Sequence, residues 1–375
     1  MSPQIYPAVY YGFLLLLACL YVFTYARAGN DFVYKRSLCN GNRLGVIIVT
    51  LLCALFLGTR PIDPFFSDTV TYATWYKHIQ IVSQDFFEEG DRGFRYFMLF
   101  CSNLGLGVSS FFVLVDIIYM GAQAYILYQL FRKNAYIASL SVLGTFFFYN
   151  FAVNGIRNGL ALSLILLAIY YYECRKKTLG LALTLLALSI HISTIIIVIS
   201  YWVQGRWKYS GLYIKLWCLC LILSIICGSY FFNDLFTNIG ILDDWHSAAY
   251  FTAEGRDMSL FTRTGYRWDF LLFSLPPIIW GYVIIIRKGW KDQLFVKIYN
   301  MYVFINAFWL LVNMNWLSNR IVMLSWVFYS YIFIYPMLRM EKLTNRILYL
   351  SLYTVGSLSF AFYYNVYYQA AKLAN

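Results

Sequence analysis

Two arginines stand out in this sequence because each lies at the border of an apolar stretch, where an unused charge is costly. Arg157 lies in the polar segment 154–158, which has no acidic neighbour in sequence, and Arg320 follows residues 313–319, a turn with three asparagines. A guanidinium group is a planar fork that binds phosphate oxygens bidentately and stays charged when desolvated. The pattern favours a phosphate-bearing ligand for both arginines; the alternative is ordinary pairing with loop carboxylates.

Two further residues are candidates for proton transfer. His191 lies within an apolar stretch, and histidine suits this chemistry because it titrates near neutral pH; the alternative is a satisfied core residue. Asp68 precedes Tyr72 by four residues, which places both on one helix face, although Asp68 could equally be a helix N-cap. His78 and His246 are interpreted as solvated loop residues, and the acidic run 88–91 as a solvated turn. The scattered histidines predict no metal site.

The elements that must position these residues are membrane helices. The chain has 375 residues, of which 61% are hydrophobic and only 12% are charged. A soluble chain is usually about 45–50% apolar and about 25% charged, so this composition excludes a soluble enzyme and a disordered protein. Its long apolar runs predict an all-α polytopic integral membrane protein that forms one membrane-embedded domain over residues 1–375.

Eleven apolar stretches mark the expected helices. They are roughly 6–25, 44–59, 108–130, 136–153, 156–172, 179–203, 211–232, 270–286, 294–312, 321–338 and 347–368. A helix needs about 20 residues to cross the hydrocarbon layer, so we expect about 11–12 transmembrane segments. The uncertain stretch is 179–203, which has a basic cluster at each end. A re-entrant hairpin with its tip near His191 keeps both clusters cytoplasmic; the alternative is one long helix.

Basic loops on the cytoplasmic side place two longer loops outside, at about 60–107 and 233–269. Within the first, residues 93–106 predict an amphipathic helix along the membrane surface. The net charge of +12 is therefore an orientation signal and indicates no nucleic-acid partner. The outer face uses arginine more than lysine, which suggests a phosphate-bearing ligand; the alternative is pairing with the acidic residues of the loops. Its basic residues are Arg60, Arg92, Arg95, Arg157, Arg256, Arg263, Arg267 and Arg320, with Lys77 and Lys372.

The central segment resembles the signature of a known family. It reads NGIRNGLALSLILLAIYYYECRKKTLGLALTLLALSIHISTIIIVIS, residues 154–200, with an arginine opening a helix, a short basic loop, and a histidine followed closely by serine. This pattern resembles the EpsG family, whose members resemble Wzy-type polymerases of O-antigen, capsule and exopolysaccharide. The segments DTVTYATWY, EEGDRGFRYFMLF and NRIVMLSWVFY resemble flanking segments of the family. Asn158 stands where the family usually has glutamine.

The resemblance implies a GT-C-like membrane glycosyltransferase in the bacterial cytoplasmic (inner) membrane, with its site facing the periplasm or exterior. Such an enzyme joins oligosaccharide repeat units carried on undecaprenyl diphosphate, in contact with membrane lipid and with no cofactor or metal. A chain-length regulator or a flippase is a further candidate partner. Lipid-linked glycan ligation and lipid-linked oligosaccharide transport are the alternative functions.

The implied chemistry assigns roles to the candidate residues. The leaving diphosphate develops negative charge, which fixed cations must stabilise, and the attacking hydroxyl needs a base. The candidate bases are His191, which we favour, and Asp68. The candidate diphosphate ligands are Arg157, Arg320, Arg95 and Arg263. The candidate substrate-binding residues are Tyr72, Asn158 and Asn319.

Overall fold

The computed structural model describes residues 2–28, 38–88, 90–227, 231–232, 265–314, 318–340, 343 and 345–368. Within these ranges the chain is helical and contains no strand, which confirms the all-α class. The first ten helices are α1 Tyr6–Ala28, α2 Leu38–Gly58, α3 Asp68–His78, α4 Gln84–Glu88, α5 Arg92–Asn103, α6 Val108–Phe131, α7 Ala135–Leu143, α8 Phe146–Val153, α9 Ile156–Glu173 and α10 Lys177–Ile190. The others are α11 Ile195–Arg206, α12 Ser210–Ile226, α13 Trp268–Tyr282, α14 Gln293–Leu311, α15 Ser318–Trp326, α16 Tyr329–Arg339 and α17 Arg346–Phe362.

Several of these helices can cross a bilayer, which confirms a multi-pass membrane protein. Among the described residues, five helical segments are long and apolar enough by length and composition: Pro3–Thr24, Val108–Leu143, Trp268–Arg287, Gln293–Leu311 and Ser318–Arg339. The bent pair α8 and α9 makes a sixth if it counts as one span. Further apolar helices of 10–17 residues are Asn42–Gly58, Lys177–Ile190, Ile192–Arg206 and Ser210–Ile226. The expected total of 11–12 segments stays a prediction.

Three apolar stretches that the sequence presents as continuous contain breaks. The stretch 136–153 is interrupted at Gly144, between α7 and α8. The stretch 321–338 is interrupted between α15 and α16. The third break is at His191, whose extended backbone (φ −156°, ψ 109°) ends α10 before a 3₁₀ turn, Ile192–Thr194. A helix break at His191 agrees with the expected tip, while the return of the chain as a hairpin stays a prediction.

The chain clusters into two compact units, one formed by Met1–Thr194 with Ile334–Asn375 and the other by Ile195–Phe333. The single domain expected from the sequence stays a prediction. In the first unit, α7, α8 and most of α9 are buried on nearly every side, as expected for apolar helices at the centre of a bundle. Helix α9 packs against α6 and α10, and α5 packs against α10.

A buried ion pair fixes the start of α3 within the first unit. The Nη1 atom of Arg60 lies 3.4 Å from Oδ2 of Asp116, and both side chains are at most 1% exposed. The Nε atom of Arg60 donates a 2.9 Å hydrogen bond to the hydroxyl of Thr69, which donates in turn to the carbonyl of Val153. This chain of contacts joins α6, α3 and the end of α8 in front of the residues described below.

The second unit is held together by α14, against which α11, α12 and α15 pack. Polar side chains link these apolar helices, as is usual where the hydrophobic effect between helices is weak. The indole of Trp217 donates a 2.8 Å hydrogen bond to Asn306, and Asn306 donates to Ser325 over 3.2 Å. The indole of Trp326 donates to Ser274 over 2.9 Å.

Candidate active site

The chain bends sharply after α8, and this bend places Arg157 in the first turn of α9. The two helices are bent by 117°. The bend depends on a glycine, because a Cβ atom on Gly159 would lie only 2.8 Å from Cβ of Phe151. The side chain of Asn154 accepts a 3.0 Å hydrogen bond from the backbone N–H of Asp68. This bond attaches the beginning of α3 to the bend, so both helices present their first turns to the same site.

Arg157 is held by a carboxylate, a phenol and two aromatic rings. Its Nη1 atom donates to Oδ2 of Asp91 over 2.7 Å, and its Nε atom donates to the hydroxyl of Tyr72 over 3.0 Å. The guanidinium carbon lies 5.4 Å and 5.5 Å from the ring centroids of Tyr72 and Trp75, within cation–π range. Arg157 is therefore paired, although the sequence shows no acidic neighbour. Its side chain is 15% exposed, and within the described ranges Nη2 has no hydrogen-bond partner.

Asp91, at the start of α5, connects three parts of the first unit. Its Oδ2 atom accepts from Arg157 and also lies 3.0 Å from Nδ1 of His191, while Oδ1 accepts from the backbone N–H of Ile192 over 3.3 Å. Asp91 has a positive φ of 25° and follows Gly90, whose φ is 38°. Such backbone strain persists only where the surroundings fix it, and it is concentrated at functional sites.

The Asp91 carboxyl group is strongly acidic. Burial alone would raise its pKa, but the hydrogen bond from His191, the charges on His191 and Arg157, and the N–H of Ile192 lower the pKa to about 2. The side chain is 11% exposed. Asp91 is therefore a carboxylate near neutral pH, with only acceptor oxygens to offer its neighbours.

The backbone of His191 is held by hydrogen bonds at both its N–H and its carbonyl group. Its N–H donates to the carbonyl of Ala187 over 2.9 Å, and its carbonyl accepts a 2.8 Å hydrogen bond from the hydroxyl of Thr194. Because Asp91 only accepts, the proton of a neutral imidazole lies on Nδ1, and Nε2 carries the lone pair. The side chain is 18% exposed, so a ligand can reach it.

Asp68, Tyr72 and Asn158 are the other candidate residues in the first unit. Helix α3 begins at Asp68 with Ser67 as its N-cap, so the alternative of Asp68 as the cap is wrong. The charge of Asp68 acts on Arg157, and Tyr72 lies one turn further along α3, buried at 3% exposure. Asn158 is 7% exposed, and its Oδ1 atom has no hydrogen-bond partner among the described residues.

Arg95 is buried within the first unit. Its side chain is 3% exposed, it donates to the backbone carbonyl of Phe86, and its guanidinium carbon lies 4.2 Å from the Phe86 ring centroid. These contacts join α4 to α5 and hold the segment that carries Asp91. A role of Arg95 in binding a diphosphate stays a prediction.

The other expected arginine ligands lie elsewhere in the chain. Arg320 is exposed at the start of α15 in the second unit, where its backbone N–H donates to the side-chain carbonyl of Asn319 over 2.8 Å. Arg263, like most of the loop 233–269, lies outside the described residues. The roles of Arg320, Asn319 and Arg263 stay predictions.

The residue that the sequence missed is Asp91. Its interpretation as part of a solvated turn is wrong, because it is the shared partner of Arg157 and His191. One available signal was its position directly before the amphipathic α5 in the segment EEGDRGFRYFMLF. Within the described ranges, no group of three His, Cys, Asp or Glu residues is arranged to hold a metal ion.

The arrangement combines a positive group with a group that can take a proton. Arg157 lies in the first turn of α9, where the partial positive charge of the helix dipole adds to its own. His191 lies beside it, because both side chains bind the same oxygen of Asp91. Such a site can stabilise an anionic leaving group and deprotonate a nucleophile in one reaction.

Comparison with known families gives one match that covers nearly the whole chain. The model described as the EpsG family matches residues 43–375, nearly the whole chain and all of the residues described at this site. No curated protein and no solved structure matches the chain.

Proposed function

We propose that this chain, which belongs to the EpsG family, is a polysaccharide polymerase of the bacterial cytoplasmic membrane. Membership of this family indicates a role in polysaccharide synthesis. The finer proposal is that the enzyme joins oligosaccharide repeat units carried on undecaprenyl diphosphate, by glycosyl transfer at the outer face of the membrane. Its apolar helices would keep the lipid tails in the bilayer while the sugars react in the outer aqueous layer.

One observation carries this proposal: Arg157 and His191 share an oxygen of Asp91 and remain reachable from outside the fold. In the reaction, a hydroxyl of the acceptor sugar attacks the anomeric carbon of the donor chain. The new bond between oxygen and carbon forms as the bond from that carbon to the diphosphate oxygen breaks. The hydroxyl proton goes to Nε2 of His191, and the bond electrons leave with the diphosphate.

Arg157 has the properties that the leaving group requires. Its Nη1 and Nε atoms are committed to Asp91 and Tyr72, which fix the plane of the guanidinium. The Nη2 atom is available to a phosphate oxygen, and the first-turn N–H groups of α9 point towards the same end of the helix. Donors that are preorganised in this way stabilise charge without rearranging during the reaction.

The proposal is tested with purified protein and lipid-linked repeat units, whose products are separated by length. The wild-type protein should give a ladder of longer glycans. Arg157→Ala should lower the rate by about 10²–10³-fold, because it removes a positive group at the developing charge. Arg157→Lys should recover little of this loss, because an ammonium group cannot reproduce the fork that binds Tyr72 and Asp91.

The matched control is Arg206→Ala, which removes an exposed arginine at the end of α11 and should polymerise like the wild type. Transfer of the lipid-linked units across a vesicle membrane without growth would indicate a flippase. A single addition to a lipid core would indicate a ligase. Full activity of a folded Arg157→Ala variant would rule out the role of this residue.

A further inference from the structure

Asp91 forms more contacts than an ion-pair partner of Arg157 needs. One oxygen, Oδ2, binds both Arg157 and the imidazole of His191, at 2.7 Å and 3.0 Å. The other, Oδ1, accepts from the N–H of Ile192, the residue that follows the histidine. The carboxylate thus holds both the ring of His191 and the backbone next to it.

The backbone around Asp91 is adapted to this contact. The positive φ values of Gly90 and Asp91 turn the chain into α5. Helix α5 then approaches α10 so closely that a Cβ atom on Gly93 would lie 2.3 Å from Oγ of Ser189 and 2.8 Å from its backbone carbonyl carbon. This contact brings the start of α5 to the end of α10, where His191 lies.

We propose that Asp91 is a positioning residue that keeps His191 in the state required of a general base. The inference rests on the proposed function, since it concerns the proton that leaves the acceptor hydroxyl. An acceptor-only carboxylate selects the tautomer with hydrogen on Nδ1, which leaves the lone pair of Nε2 for that proton. Within the described ranges, Nε2 has no hydrogen bond that would occupy it.

The same contact stabilises the protonated histidine. When Nε2 takes the hydroxyl proton, the imidazole becomes a cation beside the cationic Arg157. The carboxylate of Asp91 lies within hydrogen-bond distance of both groups and offsets their repulsion. The positive charge on Arg157 is then available to the departing diphosphate while the proton stays on His191.

Asp91→Asn tests this role, because it keeps the size of the side chain and removes its charge. In the polymerisation assay, kcat should fall about 10²–10⁴-fold, because His191 loses both the carboxylate that selects its tautomer and the negative charge that stabilises its protonated form. KM should change by a few-fold at most, because the substrate-binding surface is kept. The matched control is Asp269→Asn. Asp269 forms a surface ion pair with Arg267 at 2.8 Å and is 50% exposed, so this variant should retain wild-type kcat.

A double-variant cycle separates positioning from folding. If Asp91 acts through His191, adding Asp91→Asn to His191→Gln should cost little beyond the single His191→Gln change, because residues that act as one unit are not additive. In Asp91→Ala, added formate should restore part of kcat by supplying a carboxylate in the vacated space. Additive losses in the cycle, together with no rescue by formate, would overturn the inference.

The outcomes distinguish this inference from the proposed function. A wild-type protein that makes no glycan ladder contradicts the polymerase function itself. A wild-type ladder together with a folded Asp91→Asn variant of unchanged kcat contradicts only the role of Asp91. If Asp91→Asn does not fold, the formate rescue of Asp91→Ala decides in its place.

Discussion

The hydrogen bond between Tyr72 and Arg157 offers a sharp test, because its removal takes away one oxygen atom. The change Tyr72→Phe removes the acceptor of the 3.0 Å bond from Nε of Arg157 and keeps the ring that lies 5.4 Å from the guanidinium carbon. Tyr72 is 3% exposed, so solvent has little access to its side chain.

The size of the effect follows from the type of bond. A hydrogen bond to a charged group contributes about 1.5–3 kcal/mol, and about 1.4 kcal/mol corresponds to a factor of ten in rate. If the bond serves to orient Arg157 towards the transition state, polymerisation by Tyr72→Phe should be slower by about 10–100-fold. The decrease should lie mainly in kcat, since the charge that attracts the substrate remains.

The matched control lies one turn further along the same helix. Tyr76 is 4% exposed, and its hydroxyl donates a 2.8 Å hydrogen bond to the backbone carbonyl of Leu106, away from Arg157. Tyr76→Phe should lower the unfolding free energy by about 1 kcal/mol and leave the polymerisation rate near that of the wild type. The measurement is the rate of glycan-ladder growth at saturating substrate, with thermal unfolding in detergent followed in parallel. Equal rates for the two variants would refute the orienting role of the Tyr72 hydroxyl.

Three further perturbations have defined outcomes. The pKa of Asp91 is lowered from 3.8 to about 2 on folding, so its ionisation adds about 2 kcal/mol to the free energy of unfolding. This contribution is fully present above about pH 5 and is lost as the pH falls towards 2. The thermal midpoint should therefore fall more steeply between pH 5 and pH 3 in the wild type than in Asp91→Asn, and parallel curves would contradict this ionisation. Gly93→Ala should slow polymerisation about 10-fold or more, because the added methyl group forces α5 away from Ser189. The control is Gly107→Ala, whose Cβ atom meets open space and which should polymerise like the wild type. Equal rates for the two variants would show that the close approach of α5 to α10 is unnecessary. Arg320→Ala should abolish polymerisation if Arg320 binds the diphosphate, as the sequence predicts. Its side chain is exposed, so the thermal midpoint should stay close to that of the wild type, and retained activity would contradict this role of Arg320.

Much of the helical framework could be predicted from the sequence. Apolar stretches correspond to helices because backbone groups in lipid must be satisfied internally. The segment 154–158 predicted the start of α9, and the polar residues around His191 marked the break after α10. What hydropathy does not detect is a short turn within an apolar run, such as the one at Gly144 between α7 and α8.

The candidate site was predicted only in part. Arg157 and His191 were singled out because each is a charged or titratable residue in apolar surroundings, which is a local property of the sequence. Asp91 lies in an acidic run whose composition is typical of a solvated turn. Its importance comes from the packing of α5 against α10, a contact between distant segments that neither composition nor periodicity encodes.

The shared carboxylate also imposes an order on the making of the protein. Arg157 follows Asp91 by 66 residues and His191 follows it by 100. At about 5–20 residues per second, the ribosome delivers the aspartate about 5–20 s before the histidine. Until α10 has emerged, a nascent chain has Asp91 but lacks the histidine that completes this contact. Under the proposed function, a chain that is stalled or truncated before this point lacks its general base, and we expect it to leave lipid-linked sugars unreacted.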